Sequence, residues 1–280
     1  MSRTEAFLAD SGVGPGSELR PVSGGDVCEA FHVVSPDGEW FLKRLGSNGP
    51  PGLFAAEAEG LEALGGEGLL RVPAAIAWDA DHLLLEYLPL VRRGGAEDER
   101  LGRALAALHA VDRGRFGWSA NNWIGRMPQS NPPLMDWSDF YCDARLLPQA
   151  RRLGGEILDL ANRLADRRDR LFAGHRPHAA LVHGDLWAGN AAALQDGTPV
   201  VFDPAVHHAD RECDLAMAAL FGGYSPRFYA AYEECLPCPP GAERRQRYYQ
   251  LYHVLNHANL FGGGYVDQSR RLLETLIASV

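Results

Sequence analysis

Three polar residues in the second half of the sequence have a spacing that suits phosphate chemistry. Asp185 follows the apolar pair 181–182 and a short loop, Asn190 comes five residues later, and Asp203 ends the next apolar run. Phosphoryl transfer to a hydroxyl needs one carboxylate facing that hydroxyl, while an amide oxygen and a second carboxylate converge on Mg²⁺. The pattern therefore predicts a kinase in which Asp185 takes the hydroxyl proton and Asn190 and Asp203 are metal ligands.

A predicted β-hairpin explains how these residues meet. Residues 191–202 form two apolar runs around a polar turn, with Asn190 at the start and Asp203 at the end. Taken singly, Asn190 could be a turn residue, Asp203 a strand end and Asp185 a loop cap, and their joint spacing favours the metal site. We expect His183 to support the loop by hydrogen bonding rather than to transfer a proton.

A second group of residues suits the phosphates of a nucleotide. Lys43 lies on an apolar strand predicted at 39–45, where an unpaired charge is costly to bury, and Glu57 on the next helix offers a partner. The favoured interpretation is a lysine on the phosphates held by this glutamate, and the alternative is a surface ion pair. Gly24 and Gly25 precede the same hairpin, where glycines let main-chain amides approach phosphates.

Apolar periodicity divides the chain into two parts of different character. Residues 1–88 predict a small α+β nucleotide-binding lobe, and residues 89–280 predict a larger, mainly helical lobe for catalysis and acceptor binding. The predicted elements are strands at 31–34, 39–45, 75–78 and 82–85, helices after Ser2 and Pro50, a hinge at 86–90, and helices at 101–108, 137–150, 156–172, 211–221, 226–235, 243–260 and 265–279. In the second part, the hairpin at 191–202 is the one clear β element. The segment 113–136, rich in Trp, Asn, Gly and Pro, is a candidate substrate-shaping loop.

Composition limits the possible partners. The chain has 280 residues, 46% of them hydrophobic, and a formal net charge of −9 without a basic block, so we expect a small-molecule partner and no nucleic acid. Without a long apolar run or a secretory signal pattern, we expect a cytoplasmic protein with no membrane contact, as a monomer or weak homodimer. Its five scattered cysteines favour free thiols. For Cys28, a packed thiol is favoured over a redox-sensitive one.

Candidate acceptor contacts lie near the predicted site and at the C-terminus. Trp187 is either a sugar-stacking ring or a packing residue. His253 and His257 fall on an unusually polar helix pattern, which could line the acceptor pocket or form a buried hydrogen-bonded network. The pair 207–208, near Asp210, is expected to be loop and helix N-terminus rather than a metal site.

Longer segments around these residues match a known pattern. They include His-Gly-Asp-Leu-Trp-Ala-Gly-Asn at 183–190, Asp-Arg-Glu at 210–212 and Leu-Tyr-His-Val-Leu-Asn-His at 251–257. With these segments the sequence resembles the fructosamine kinase (ketosamine-3-kinase) family, within the aminoglycoside-phosphotransferase and choline-kinase-like group. The resemblance covers nearly the whole chain.

The resemblance implies a bilobal protein-kinase-like fold, with ATP and Mg²⁺ as donor and cofactor. It also implies phosphorylation of the 3-hydroxyl of a ketosamine, either a small molecule or a glycated lysine on a protein, which reverses glycation. In this family the main chain at Glu86, Tyr87 and Leu88 would contact adenine, and Arg211 and Glu212 join the predicted substrate contacts. Two alternatives stay open: a related kinase for another amino-sugar or small hydroxyl acceptor, and an inactive nucleotide-binding protein.

Overall fold

The computed structural model describes residues 2–22, 27–46 and 49–280. The α-helices are Arg3–Asp10 (α1), Leu53–Gly65 (α2), Gly95–His109 (α3), Trp137–Phe140 (α4), Leu147–Leu153 (α5), Gly155–Ala165 (α6), Arg168–Leu171 (α7), Glu212–Leu220 (α8), Pro226–Cys235 (α9), Ala242–Phe261 (α10) and Gly264–Ala278 (α11). The strands are Glu18–Val22 (β1), Glu29–Ser35 (β2), Gly38–Arg44 (β3), Ala75–Trp78 (β4), His82–Glu86 (β5), Asn122–Ile124 (β6), Met127–Gln129 (β7), Ala180–Val182 (β8), Ala191–Ala193 (β9), Pro199–Val201 (β10) and His207–Ala209 (β11). A π-helical segment, Tyr141–Leu146, joins α4 to α5, and a 3-10 turn, Ala188–Asn190, precedes β9.

The first five strands form one antiparallel sheet in the order β1-β2-β3-β5-β4. Four of them, β2 to β5, confirm the strands predicted from the sequence. The edge strand β1 is an addition, since its side chains are mostly exposed and give no alternating apolar signal. Helix α1 begins at the predicted capping box, in which Ser2 Oγ accepts from the Glu5 amide at 3.1 Å.

The two faces of this sheet pack against different partners because side chains alternate along each strand. On β5, Leu84 joins the small core under α1, whereas Leu83 and Leu85 pack in a larger core with Phe54 of α2 and Leu105 of α3. The larger core therefore runs from the sheet into the C-terminal part of the chain. A main-chain bridge between Val91 and Ala193, with nitrogen-to-oxygen distances of 2.7 and 3.0 Å, adds a second connection.

Helices dominate the chain after residue 95, as predicted. The expectation of a single β element there is wrong, because the described chain also pairs β6 with β7 and β8 with β11. Each of these strands has three residues, too few to show a period of two. The pair 207–208 consequently lies in β11 rather than in a loop, and the predicted helix at 137–150 contains the π-helical segment.

Two further expectations can be compared with this fold. All five cysteines are free thiols, as predicted. Among the residues that the structure describes, no helix is both long enough and apolar enough to cross a bilayer. The division into lobes at residues 88 and 89 stays a prediction.

The packing of α3 against α9 depends on Gly102 of α3. A β-carbon at this position would overlap the main-chain carbonyl oxygen of Phe228 in α9. We predict that Gly102→Ala lowers the free energy of unfolding by about 1–3 kcal/mol, because backbone cannot move aside cheaply. Denaturant titration measures this.

Gly264→Ala is the matched control for this substitution. Its added carbon has nothing within 4 Å, so we expect unchanged or slightly higher stability. Equal stability of the Gly102→Ala and wild-type proteins would contradict the described packing of α3 on α9.

Candidate active site

The loop 183–190 joins β8 to β9 and carries Asp185. Gly184 takes φ 82° and lies so close to the Ala205 carbonyl that a β-carbon would overlap it. A glycine is therefore required here, and the loop packs directly on the segment that follows Asp203. Asn190 closes the loop, since its Nδ2 donates to the Asp185 carbonyl at 3.0 Å and faces the Asp185 carboxylate at 3.4 Å.

A buried carboxylate on α8 holds this loop in place. Asp214 accepts from the main-chain amides of His183 at 2.7 Å and Gly184 at 2.9 Å, and it contacts His109 Nε2 at 3.2 Å. Burial alone would raise the pKa of Asp214, but the hydrogen bonds from His109 and from the loop keep it below its usual value. Asp214 is thus an ionised side chain that anchors His183 and Gly184, the two residues directly before the predicted catalytic residue Asp185.

Sequence reasoning assigned Asp214 only to the first turn of a helix. The sequence pattern that indicates a buried role for Asp214 is its place next to the apolar residues 215–218, on a helix that has to pack against its neighbours. Such an acid is costly to bury unless hydrogen bonds satisfy it. The pattern suggests a buried acid with partners, but which amides it would bind depends on tertiary structure.

His183 supports the loop, as expected from the sequence. Its Nε2 lies 3.0 Å from the Phe202 carbonyl, which can only accept, and its Nδ1 receives the Asp185 amide at 3.3 Å. These partners fix the tautomer that carries its proton on Nε2. Burial lowers the His183 pKa, so the ring is neutral and structural.

Lys43 connects the sheet to the loop after β10. Its Nζ is 2.5 Å from Glu57 Oε1 on α2 and 2.5 Å from Asp203 Oδ1. Burial opposes its charge, but Asp203 and Glu57 together outweigh burial and raise the Lys43 pKa. The geometry excludes the surface ion pair considered as an alternative, because Lys43 and Glu57 are both buried.

Asp203 occupies a strained position beside these groups. Its φ of 56° lies in the left-handed region, which costs a non-glycine residue of order 1–3 kcal/mol. Hydrogen bonds on either side maintain it, from the Phe202 amide to the Asn190 carbonyl at 3.1 Å and from the Ala205 amide to the His183 carbonyl at 2.9 Å. The strain is consistent with a carboxylate that must face a particular point in the site.

The oxygen atoms around this point suit a hard divalent cation. The amide nitrogen of Asn190 donates to the main-chain carbonyls of Asp185 and Asp203, so its side-chain oxygen is the atom that could serve as a metal ligand. Carboxylate and amide oxygens are the ligands that Mg²⁺ prefers. The donor set therefore fits the predicted metal.

Asp185 is an acid whose pKa is strongly raised. Burial, with added repulsion from Asp203 and Asp214, raises its pKa to about 7, and the contact with Asn190 opposes the rise only in part. A carboxylate with such a pKa is a more effective proton acceptor than an ordinary aspartate.

A buried amide network holds the chain beyond Asp203. Asn122 Nδ2 donates to the Val206 carbonyl at 2.7 Å, and Gln129 Nε2 donates to the Ala205 carbonyl at 3.1 Å. Tyr252 completes the network by donating to Gln129 Oε1 at 2.7 Å. The segment predicted to shape the substrate site thus contains the β6–β7 hairpin, which positions the loop carrying Asp203.

The predicted nucleotide contacts are placed as follows. Gly24 and Gly25 lie outside the described residues. Glu86 ends β5, where its carboxylate accepts from Arg71 at 2.5 Å. Tyr87 stacks on His32 with 3.8 Å between ring centroids, and the Leu88 carbonyl accepts from the Leu90 amide at 2.8 Å.

The predicted acceptor contacts differ in exposure. Trp187, two residues after Asp185, is 42% exposed, which argues against a pure packing role. His253 is buried beside Gly184 and is neutral, since burial lowers its pKa to about 3, and its Nδ1 has no hydrogen-bond partner among the described residues. His257, one turn further along α10, is partly buried, and its Nδ1 lies 2.8 Å from the His253 carbonyl.

Arg211 and Glu212 point into a different part of the molecule. Arg211 donates to the carbonyls of Leu236 at 2.8 Å and Pro237 at 2.6 Å, and Glu212 forms a two-pronged pair with Arg245 at 2.7 and 2.8 Å. Glu212 also lines a cleft of about 470 Å³ between α8, α9 and α10, to which Lys43, Asp185, Asn190 and Asp203 do not contribute. The structure does not bring this pair to Asp185, and its role as a substrate contact stays a prediction.

The buried cluster of His175, Asp210 and Glu212 has ligand atoms close enough to hold a metal ion. Its members already have partners, however. Asp210 is 2.5 Å from both His175 Nε2 and the Tyr249 hydroxyl, and Glu212 is paired with Arg245. We interpret the cluster as a structural ion-pair network.

The site and the fold together define a class of protein. A lysine–glutamate pair on the sheet and helix, a loop aspartate and a nearby Asn and Asp are the parts used in phosphoryl transfer. The choline kinase of Streptococcus pneumoniae superposes on the chain with a TM-score of 0.65 at 15% identity, covering 99% of this chain and 98% of that one. Such a likeness shows the fold alone, and it confirms the bilobal, protein-kinase-like α+β fold.

More similar proteins show the family. The fructosamine kinase family model matches residues 8–279. A probable ketoamine kinase from Synechocystis is 42% identical over 265 residues, covering 92% of this chain and 89% of that protein. The crystal structure of a putative fructosamine-3-kinase from Thermobifida fusca superposes with a TM-score of 0.87 at 33% identity, covering 99% of each chain. The chain belongs to the fructosamine kinase family, as its sequence motifs indicated.

The anchoring role of Asp214 gives a prediction. Asp214→Asn keeps the shape but places an amide group against the amides of His183 and Gly184, so the loop loses an acceptor. We expect kcat for phosphoryl transfer to fall about 10- to 100-fold, as when a group that orients a catalytic loop is lost. The KM for ATP should change much less. Steady-state kinetics measured well below the unfolding temperature test this.

The exposed Asp166 provides the control. Asp166→Asn should leave kcat and KM unchanged. A proportional loss of activity and of folded protein in Asp214→Asn, with kcat per folded molecule unaltered, would show that Asp214 only stabilises the fold.

Proposed function

We propose that this protein is an ATP-dependent kinase that phosphorylates the 3-hydroxyl of ketosamines of the fructosamine or ribulosamine type. The observation that carries the proposal is the convergence of Asp185, Asn190 and Lys43 around Asp203, in a chain of the fructosamine kinase family. The geometry supports phosphoryl transfer, and the family supports the acceptor.

The donor nucleotide would lie between residues 1–88 and residues 89–280. Lys43 is held in position by Glu57, so its ammonium group can face the phosphates of ATP while Asp203 balances its charge. Main-chain amides at Gly24 and Gly25 would cover the phosphates, and the main chain from Glu86 to Leu88 would contact adenine.

Asn190 and Asp203 would hold Mg²⁺ through their side-chain oxygens. A magnesium ion supplies positive charge that offsets the negative charge developing on the phosphate oxygens. The protein contributes the fixed placement of these ligands, since Asn190 is tied to the Asp185 loop and Asp203 is tied to Lys43.

Asp185 would orient the acceptor hydroxyl and take its proton. The bond from the substrate oxygen to the γ-phosphorus forms as the bond from that phosphorus to the β,γ-bridging oxygen breaks, and ADP leaves. The pKa of about 7 caused by burial makes Asp185 a suitable acceptor for this proton. Neutral His183 keeps the loop in shape and carries no proton in the reaction.

The acceptor would be a ketosamine, either free or formed on a protein lysine. Trp187 offers an exposed ring for the sugar, and His253 and His257 lie on the helix that borders Gly184. A 3-phosphate is a good leaving group next to a carbonyl carbon, so the product can lose phosphate and release its amine. The proposed role is thus removal of sugar adducts from amines.

The prediction for Asp185 is direct. Asp185→Asn should lower kcat about 10²- to 10⁴-fold, because a neutral amide cannot accept the hydroxyl proton. Binding of ATP should remain within a few-fold of wild type, since Lys43 and the metal ligands are unchanged. Release of ADP in the presence of Mg²⁺ and a fructosamine measures the first effect, and calorimetric titration with ATP measures the second.

Asp159→Asn, at an exposed position on α6, is the matched control and should behave as wild type. Near-normal turnover by Asp185→Asn would contradict the role of Asp185. ATP binding without ADP release on any ketosamine would instead support an inactive nucleotide-binding protein, and turnover of other amino-sugars alone would support a related kinase.

A further inference from the structure

Four aromatic side chains form a partly exposed cluster at the ends of α8 and α10 and the start of α11. We name Phe221, His257, Phe261 and Tyr265 the aromatic rim. The ring of His257 lies 5.0 Å from Phe221, 5.1 Å from Tyr265 and 5.6 Å from Phe261, measured between centroids. Phe221 is 46% exposed and Phe261 is 54% exposed, so these rings do not serve the core.

The aromatic rim is continuous with the loop that carries Asp185. A β-carbon on Gly223 would lie 2.5 Å from the Ala188 β-carbon, and the Tyr224 hydroxyl is 3.4 Å from the Trp187 carbonyl. The segment that begins with Phe221 therefore packs against the residues directly after Asp185.

A second connection runs along α10. His257 Nδ1 contacts the His253 carbonyl at 2.8 Å, and His253 lines the small cavity beside Gly184. Near the end of α10, a β-carbon on Gly125, in the β6–β7 turn, would lie 3.3 Å from Leu260. The aromatic rim is thus connected both to the residues beside Gly184 and to the hairpin that positions Asp203.

The chemistry of a ketosamine places its amine toward such an edge. In a ketosamine the nitrogen is attached to C1, and only C1 and C2 separate it from the carbon bearing the 3-hydroxyl. When that hydroxyl faces Asp185, the nitrogen and its substituent have to leave the site within a few bonds. A protonated secondary amine is attracted to aromatic faces, and an apolar substituent is stabilised by burial against them.

We propose that the aromatic rim is the subsite for the amine substituent, and that it favours ketosamines whose amine carries an apolar or aromatic group. This inference rests on the proposed function and extends it from the sugar to the amine. Phe221 and Phe261 act as specificity-determining residues, because they are the most exposed rings of the rim.

Three acceptors with the same sugar and the same secondary amine test this directly: the fructose-derived ketosamines of methylamine, isopentylamine and benzylamine. We expect the KM to be about three- to tenfold lower for the benzylamine and isopentylamine derivatives than for the methylamine derivative, the range that one aromatic contact provides. Phe221→Ala and Phe261→Ala should remove most of this difference. Phe261→Trp keeps an aromatic ring at this position and should therefore keep the difference in KM.

Trp78→Ala is the matched control, since Trp78 is 48% exposed and lies on β4, an edge strand of the five-stranded sheet that contains no residue of the aromatic rim. It should keep the wild-type order of KM values. Equal KM values for the three acceptors in the wild type, or an unchanged difference in both alanine variants, would overturn the inference while leaving the proposed function intact. Absence of turnover with all three acceptors would contradict the proposed function and the inference with it.

Discussion

The site depends on one buried cation shared by two carboxylates. Lys43 on β3 contacts Glu57 on α2 and Asp203 after β10, each at 2.5 Å. A single lysine thus ties the sheet, the helix behind it and the loop of the C-terminal part into one arrangement. Burial of these groups is tolerable only because they are paired, and removing one partner would leave an uncompensated charge in the interior.

Burial and neighbouring carboxylates together explain the behaviour of Asp185. Burial raises the Asp185 pKa to about 7, and repulsion from Asp203 and Asp214 adds to the rise. A site with this surplus of negative oxygen atoms gains from a divalent cation. Asp214 is kept ionised by its own hydrogen bonds, so it anchors the loop. Asp214 therefore both positions the Asp185 loop and adds to the negative charge that raises the Asp185 pKa.

Much of this site could be predicted from the sequence because its parts lie in short, strongly patterned segments. The spacing of Asp185, Asn190 and Asp203 is local, and a lysine on an apolar strand requires a partner such as Glu57. What could not be predicted depends on contacts between distant segments. The strands β8 and β11 have three residues each and pair across a long stretch of chain, while β6 and β7 form a local hairpin whose strands are too short to show a period of two.

Arg211 and Glu212 illustrate the same limit. They stand next to the site in the sequence, but the helix α8 turns their side chains toward Pro237 and Arg245, while Asp214 on the same helix faces the loop. Because side chains project in different directions around a helix, residues a few positions apart face different neighbours. Packing decides which face of α8 meets the active site. The Asp-Arg-Glu segment at 210–212 does not reveal that face by itself.

The central claim is that Asp185 directs phosphoryl transfer from ATP to one particular hydroxyl, the 3-hydroxyl of a ketosamine. It is tested most directly by incubating the purified protein with ATP, Mg²⁺ and a fructosamine, and assigning the phosphorylated carbon of the product by ³¹P and ¹³C NMR. The account predicts a phosphate ester on C3 of the sugar. A phosphate ester on another carbon, or consumption of ATP without any phosphorylated ketosamine, would contradict it.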